Sequence, residues 1–281
     1  MKISLVAECL KGKYKKMKKL GILLILAFLA LVGVHFLLAP KNGEFEESDL
    51  LEEIKSRRIL RVGINPDSKP FGYIDANGNY VGYDVDLAKY IAQSIINNPN
   101  AVKIIPVTPS NRLLKASTGE VDIVISTVTI TPFREEVISF SIPYDVAGQA
   151  VLVKSNSSIT SLSDLSGQKV GIVFGTTAEK NIRNLVPNAN LLGFRNYNEA
   201  YNALKSGRIN AITSDDTILS RFAINDSSVK LLPKRYSREP YGIAFKKSNS
   251  TIKFKESLDF TIKDLQRKNV IHRLRKKWGL E

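Results

Sequence analysis

The 281-residue chain carries 41 Lys and Arg against 27 Asp and Glu, a formal charge of +14, and 43% of it is hydrophobic. That apolar share belongs to a globular protein and excludes a disordered or fibrous chain. A single cysteine, Cys9, excludes an intrachain disulfide and a thiolate metal site, and neither His35 nor His272 has a partner at ligand spacing, so no metal or cofactor is expected.

The charge is uneven. Residues 1–19 hold seven Lys and one Glu, a local +6 that leaves +8 for the other 262 residues. Aromatic residues do not alternate with these basic ones, as a base-stacking surface would require. The body therefore reads as a solvated basic surface, and nucleic acid is not expected as a partner.

From Leu20 to Ala39 the chain is almost wholly apolar. At about 1.5 Å rise per residue, a helix of that length matches a hydrocarbon core of about 30 Å. The basic segment 1–19 then faces the cytoplasm. A signal peptide and an uncleaved transmembrane anchor compete for residues 20–39. Signal apolar regions usually span about 7–15 residues, so the length favours an anchor. Leu37-Leu38-Ala39 before Pro40 is also a poor cleavage site, and no cysteine follows to take a lipid. Met17 offers an alternative start with a Met-Lys-Lys opening. Either reading exports the body to a periplasmic or extracytoplasmic location, with or without a tie to the inner membrane.

Residues 40–56 read as a linker and short helix, with Ser48 as N-cap. A strand follows over 59–64. Asn77-Gly78 marks a hairpin between Tyr73-Ile74 and Tyr80-Val81. Helical spacing runs over 84–96, a strand over 102–106, a short helix over 111–117 and a strand over 121–126. Strands are expected at 150–153, 169–173, 191–194, 210–213, 229–232 and 241–245. Helices are expected from Thr177 to about Leu185, over 198–206, from Thr217, over 252–265 and over 270–277. Strand and helix alternate throughout, which predicts an α/β fold with mixed, mostly parallel sheets flanked by helices. One strand–turn–helix unit occurs twice, opening at Arg58 and at Lys169, so two similar lobes are expected.

The stretch Asp122 to Arg134 carries the clearest chemistry. It begins as a buried β-branched run, passes through Ser126, Thr127, Thr129 and Thr131, and ends in Arg134 after a proline. Hydroxyls and a guanidinium at the carboxyl edge of a strand suit a small carboxylate, which arginine's planar fork grips bidentately. Gly175-Thr176-Thr177 precedes a helix, whose first N–H groups attract an anion. Asp215 closes a strand in the other half of the chain, while its neighbour Asp216 is read as the cap of the next helix.

These motifs resemble a known family. Leu60-Arg-Val-Gly-Ile64, Gly82-Tyr-Asp-Val-Asp-Leu-Ala88, Gly119-Glu-Val-Asp122, Ser126 to Thr131 with Arg134, Phe140-Ser-Ile-Pro-Tyr144, Gly171 to Thr177, Gly207-Arg-Ile-Asn-Ala211 and Asp215 are together similar to those of the type II periplasmic binding proteins of polar amino-acid ABC importers, the family 3 solute-binding proteins. The resemblance implies a two-lobed fold that closes on its ligand by hinge rotation. It implies lobe I over 57–145 plus 241–281, lobe II over 151–236, and a hinge at 146–150 and 237–240. It implies that Arg134 clamps an α-carboxylate with Thr129, Thr177 and Thr176 as helpers. Asp215 would meet the α-ammonium, with a carbonyl from Ser126 or Thr127. Arg112 would read the side chain or serve as a structural arginine. Phe71 or Tyr73 would cover the ligand, although Phe71 could equally be core. The family's aromatic place before the Pro-Phe pair is Ser68 here. Lys69 with Arg112 tilts the ligand towards an acidic or polar neutral amino acid.

The expected function is thus a non-enzymatic, monomeric amino-acid-binding component that delivers its ligand to the permease and ATPase subunits of an importer. A tethered sensor and a dehydratase-like enzyme on the same fold are the alternatives. The first has at most 19 cytoplasmic residues to signal with. The second needs a general acid, and only Glu179 is available near Thr177.

Overall fold

The computed structural model describes residues 28–31 and 48–281. Residues 28–31 are helical; the rest of segment 1–47, including most of the apolar run, lies outside the described residues. Among the described residues no helix is long and apolar enough to cross a membrane.

The body opens with α1 (Leu50–Arg57), capped by Asp49 rather than Ser48, because the Asp49 carboxylate accepts from Leu51 N at 2.9 Å. Next come β1 (Leu60–Ile64), β2 (Asp67–Ser68), β3 (Gly72–Ile74), β4 (Tyr80–Val81) and α2 (Tyr83–Ile96). They are followed by β5 (Val102–Pro106), α3 (Arg112–Ser117), β6 (Ile123–Val124), α4 (Pro132–Glu135), β7 (Ile138–Phe140) and β8 (Asp145–Ala147). The chain then runs through β9 (Gln149–Lys154), β10 (Lys169–Val173), α5 (Ala178–Leu185), β11 (Asn190–Phe194), α6 (Tyr197–Lys205), β12 (Ala211–Asp215), α7 (Asp216–Asn225) and β13 (Val229–Leu231). It ends with β14 (Glu239–Tyr241), β15 (Ala244–Lys246), α8 (Ile252–Arg267) and α9 (Val270–Lys277).

Two five-stranded sheets result, in the orders β5-β1-β6-β15-β7 and β11-β10-β12-β9-β13. In each, one strand runs against the rest, β15 in the first and β9 in the second. The central strands β1 and β10 are apolar and almost wholly buried, as strands covered on both faces must be. The duplication extends to register. Val62 and Gly63 pair with Ile123 and Val124, while Val170 and Gly171 pair with Ala211 and Ile212. That register makes Ser126-Thr127 the counterpart of Ser214-Asp215, and Asp67 the counterpart of Gly175.

Several elements differ from expectation. The strand expected over 121–126 pairs only at 123–124, because Thr127 turns the chain with a φ of 48°. The strand expected over 241–245 is split: Gly242 N bonds Val128 O and Ser141 N bonds Ile243 O, so the backbone changes partners midway. Tyr241, the first residue of that run, instead ends β14, which pairs antiparallel with β8 where the chain passes between the sheets. Strands β2, β7 and β8 and the short α4 had no counterpart among the expected elements.

The aromatic core lies beside these crossings. Phe71 packs edge-on against Tyr83 and Tyr241 at 5.7 and 5.8 Å between ring centroids, and Tyr144 contacts Tyr83 and Tyr241 at 6.1 and 6.2 Å. Such pairs add about 0.5–1.5 kcal/mol each beyond area burial. Gly82 is required here: its φ is 137°, and a Cβ would stand 2.1 Å from Phe71 O.

Asp122 ties α1 and β1 to the start of β6. Its buried carboxylate takes Arg57 Nη2 at 2.5 Å, Arg61 N at 2.7 Å, and Arg61 Nε and Nη2 at 3.0 and 2.6 Å. Removing it orphans a backbone N–H and two half-buried guanidinium groups. Asp122→Ala is expected to cost about 2–4 kcal/mol of stability, to be read from the shift of the urea midpoint at unchanged slope.

Candidate functional site

The carboxyl ends of β1 and β6 in one sheet face those of β10 and β12 in the other, the edge at which open α/β sheets place ligands. Both guanidinium groups of interest come from the first half. Arg134 sits in α4, a four-residue turn that Pro132 starts and Thr131 caps, Arg134 N donating to Thr131 Oγ1 at 3.3 Å. Its Nη1 donates to Thr129 O at 2.7 Å, and its Nη2 reaches across to Gly175 O at 3.0 Å. Arg112 opens α3. Its Nη1 donates to Ser126 O and, at 3.3 Å, to Thr127 O, and its Nη2 approaches Gly175 O at 3.5 Å. Both arginines are buried. Burial, then the charge of Arg112, brings the Arg134 guanidinium down to about 10; burial likewise lowers Arg112.

Gly175 belongs to the second half and follows β10. Its φ of 79° suits glycine, and a Cβ there would lie 2.3 Å from Pro109 O and 2.6 Å from Ser110 Cα. The two halves are therefore in contact at this point. They touch again at Asp67, whose carboxylate accepts from Tyr197 N at 2.9 Å and from Asn198 Nδ2, with Arg221 at 3.8 Å.

Asp215 ends β12 and stands at the N-cap position of α7 without making a capping bond. Its Oδ2 instead accepts from Tyr241 OH at 2.5 Å. Burial pushes its carboxyl up to about 7, against the easing effect of that hydroxyl. Asp216 has a structural role. Its Oδ1 takes Thr217 N at 2.8 Å and Gly148 N at 3.1 Å, and its Oδ2 takes Arg235 Nε at 2.7 Å.

The remaining residues divide. Thr176 turns its hydroxyl back onto Val173 O at 2.8 Å. Thr177 donates its hydroxyl to Glu239 Oε2 at 2.9 Å, so only backbone at this helix end is left to face the gap. Ser126 Oγ and Arg112 Nε are buried without a partner among the described residues, two polar atoms at the centre of the site. Thr129 is buried beside them and bridges to Tyr241. Phe71 has no exposed surface and serves as packing for Tyr241. The Tyr73 ring meets Trp278 at 6.1 Å, and the Lys69 ammonium lies 5.1 Å from the Tyr73 ring centre.

The sequence reading missed several participants. Tyr241 was read only as part of an apolar strand. Glu239 lies in the expected hinge 237–240, where Ser237, Arg238 and Pro240 around it give no sign of a buried carboxylate. Tyr144, which receives Thr127 N at 3.3 Å and donates to Asp84 at 3.1 Å, was noted only within a motif.

Comparison with known proteins identifies the family. Residues 60–281 match the family described as bacterial extracellular solute-binding proteins, family 3. The chain is 35% identical over 262 residues to the ABC transporter glutamine-binding protein of Bacillus subtilis (strain 168), covering 90% of this chain and 95% of that one. It is 39% identical over 198 residues to a glutamine-binding protein of Geobacillus stearothermophilus, covering 70% and 76%. The crystal structure of a cysteine-binding protein from Campylobacter jejuni superposes with a TM-score of 0.78 at 31% identity, over 82% of this chain and 92% of that one. A family match over residues 60–281, with a relative 35% identical along 95% of its length, places the chain among the bacterial extracellular solute-binding proteins, family 3.

Proposed function

We propose that the protein binds a free polar L-amino acid between its two sheets and hands it to the membrane permease of an ABC importer. The observation that carries this is the convergence of opposite charges from opposite halves. Arg134 and Arg112 come from one side, and Asp215 with the Thr177 end of α5 from the other. An amino acid carries one anion and one cation a few bonds apart. Arg134 takes its carboxylate with the N–H groups at the start of α5, and Asp215 takes its ammonium. The names of the relatives support a polar side chain.

The lobes are 57–145 plus 241–281 and 151–236, hinged at 146–150 and 237–240. Ligand favours the closed arrangement because only there do both charged ends find partners. Residues 20–39 hold the exported body at the membrane, which raises its effective concentration near the permease.

Three outcomes are expected. Thermal shift against the common amino acids should find a ligand, worth about 2.7 kcal/mol of stability at 100 times its Kd. Arg134→Ala should abolish that response for every amino acid, while Arg112→Ala should reorder the preferences; an unchanged order removes Arg112 from side-chain reading.

Binding should also weaken in acid. The Asp215 carboxyl lies near 7 before the ammonium arrives, and the ammonium favours its ionised form. Binding therefore expels a proton below that pH, and affinity should fall by up to about tenfold per pH unit as pH drops from 7 to 5. Titration calorimetry at matched ionic strength checks the slope, and a flat profile removes Asp215 from the ammonium site.

Gly175→Ala should weaken all amino acids alike by about tenfold or more, since a clash or strained backbone of this kind is on the order of 1–3 kcal/mol. Small-angle scattering should show the variant opened with ligand present.

A further inference from the structure

Glu239 is the buried charge that this reading of the cleft leaves unused. It stands on β14, where the chain crosses between the sheets, and is 3% exposed. Three donors converge on its two oxygens: Thr177 Oγ1 at 2.9 Å, Asn181 Nδ2 at 2.8 Å and Ser237 Oγ at 2.6 Å. All three are neutral, and no direct ion pair with Glu239 forms among the described residues. A buried carboxylate held by neutral partners acts on its surroundings through its field, which the low-dielectric interior screens poorly.

That field falls on the proposed ligand space. Glu239 is bonded to Thr177, two residues from the Gly175 carbonyl that takes both guanidinium groups. Its charge acts on Arg134 and on Asp215. The buried charges around the gap are then two cations, Arg112 and Arg134, and two anions, Asp215 and Glu239. Asp84 lies behind Tyr144, whose hydroxyl it accepts, and burial pushes its carboxyl up to about 7, so it does not count as a full third anion.

We infer that Glu239 sets the charge selectivity of the cleft: by offsetting one charge of the Arg112–Arg134 pair it leaves the site balanced, and so favours amino acids whose side chain is polar but uncharged. A zwitterion with a neutral side chain adds no net charge to this set. A second carboxylate would leave a buried negative charge uncompensated, and a basic side chain would leave a positive one beside Arg112. The acidic ligands that Arg112 and Lys69 suggest on their own are disfavoured once Glu239 is counted. This inference rests on the cleft being an amino-acid site.

Glutamine and glutamate, equal in shape and different in charge, are the probes. Titration calorimetry of the wild-type protein should show glutamine bound about tenfold or more tighter than glutamate. Glu239→Gln keeps the side chain's shape and should narrow that ratio by about tenfold. Glu239→Asp keeps the charge and should weaken both ligands while preserving the ratio, a split that a merely structural role would not produce. A wild-type protein that holds glutamate as tightly as glutamine overturns the inference without any variant having to fold. So does an unchanged ratio in Glu239→Gln, or a ratio that narrows as much in Glu239→Asp as in Glu239→Gln. Failure to bind any common amino acid overturns the reading of the cleft itself, and the inference falls with it.

Discussion

Two guanidinium groups from one half of the molecule converge on a single carbonyl oxygen of the other, Gly175 O. Like charges this close repel, and Arg112 is the second largest reason that Arg134 holds its proton less firmly. Relief comes from two directions. The floor of the first half supplies the carbonyls of Ser126, Thr127 and Thr129. The second half supplies Asp215, and the crossing strand β14 supplies Glu239. Contact between the halves is thus an electrostatic requirement of the arginine pair as well as a matter of shape.

That requirement accounts for local strain. Thr127 is β-branched, yet it sits at a φ of 48°, a conformation that costs on the order of 1–3 kcal/mol. In it, consecutive carbonyls at 126 and 127 both reach Arg112. Tyr144 holds the turn through Thr127 N, and the stack of Tyr144 on Tyr83 holds Tyr144. Buried aromatic packing therefore underwrites an unfavourable backbone at the site. The same cluster fixes Tyr241, whose hydroxyl positions Asp215 in the opposite half.

Much of this was legible in the sequence. The central strands announced themselves as short apolar runs, and the hydroxyl run before Pro132-Phe133-Arg134 marked the strand edge where Arg134 is buried. What the sequence concealed was partnership across distance. Nothing local to Glu239 says that its carboxylate meets Thr177 and Asn181, 62 and 58 residues away. Nothing in the run Tyr241 to Phe245 says that its backbone changes partners at Gly242. Phe71 could be ligand cover or core from sequence, since both uses need an aromatic ring at that place; its complete burial against Tyr241 assigns it to packing.

The duplicated halves use one geometry for different chemistry. By register, Asp67 and Gly175 are counterparts, and so are Ser110 and Tyr197. Asp67 crosses the gap to Tyr197 N, and Gly175 crosses it to lie against Ser110. The same pair of positions therefore closes the molecule on both flanks of the cleft, once with a carboxylate at the start of α6 and once with a bare backbone. At the centre the counterparts Thr127 and Asp215 diverge in the same way, one turning a carbonyl to a cation and the other presenting a carboxylate. A repeat of identical charge would grip two like groups. Divergence at these few positions gives one half a cationic face and the other an anionic one, which is the polarity a single zwitterion demands.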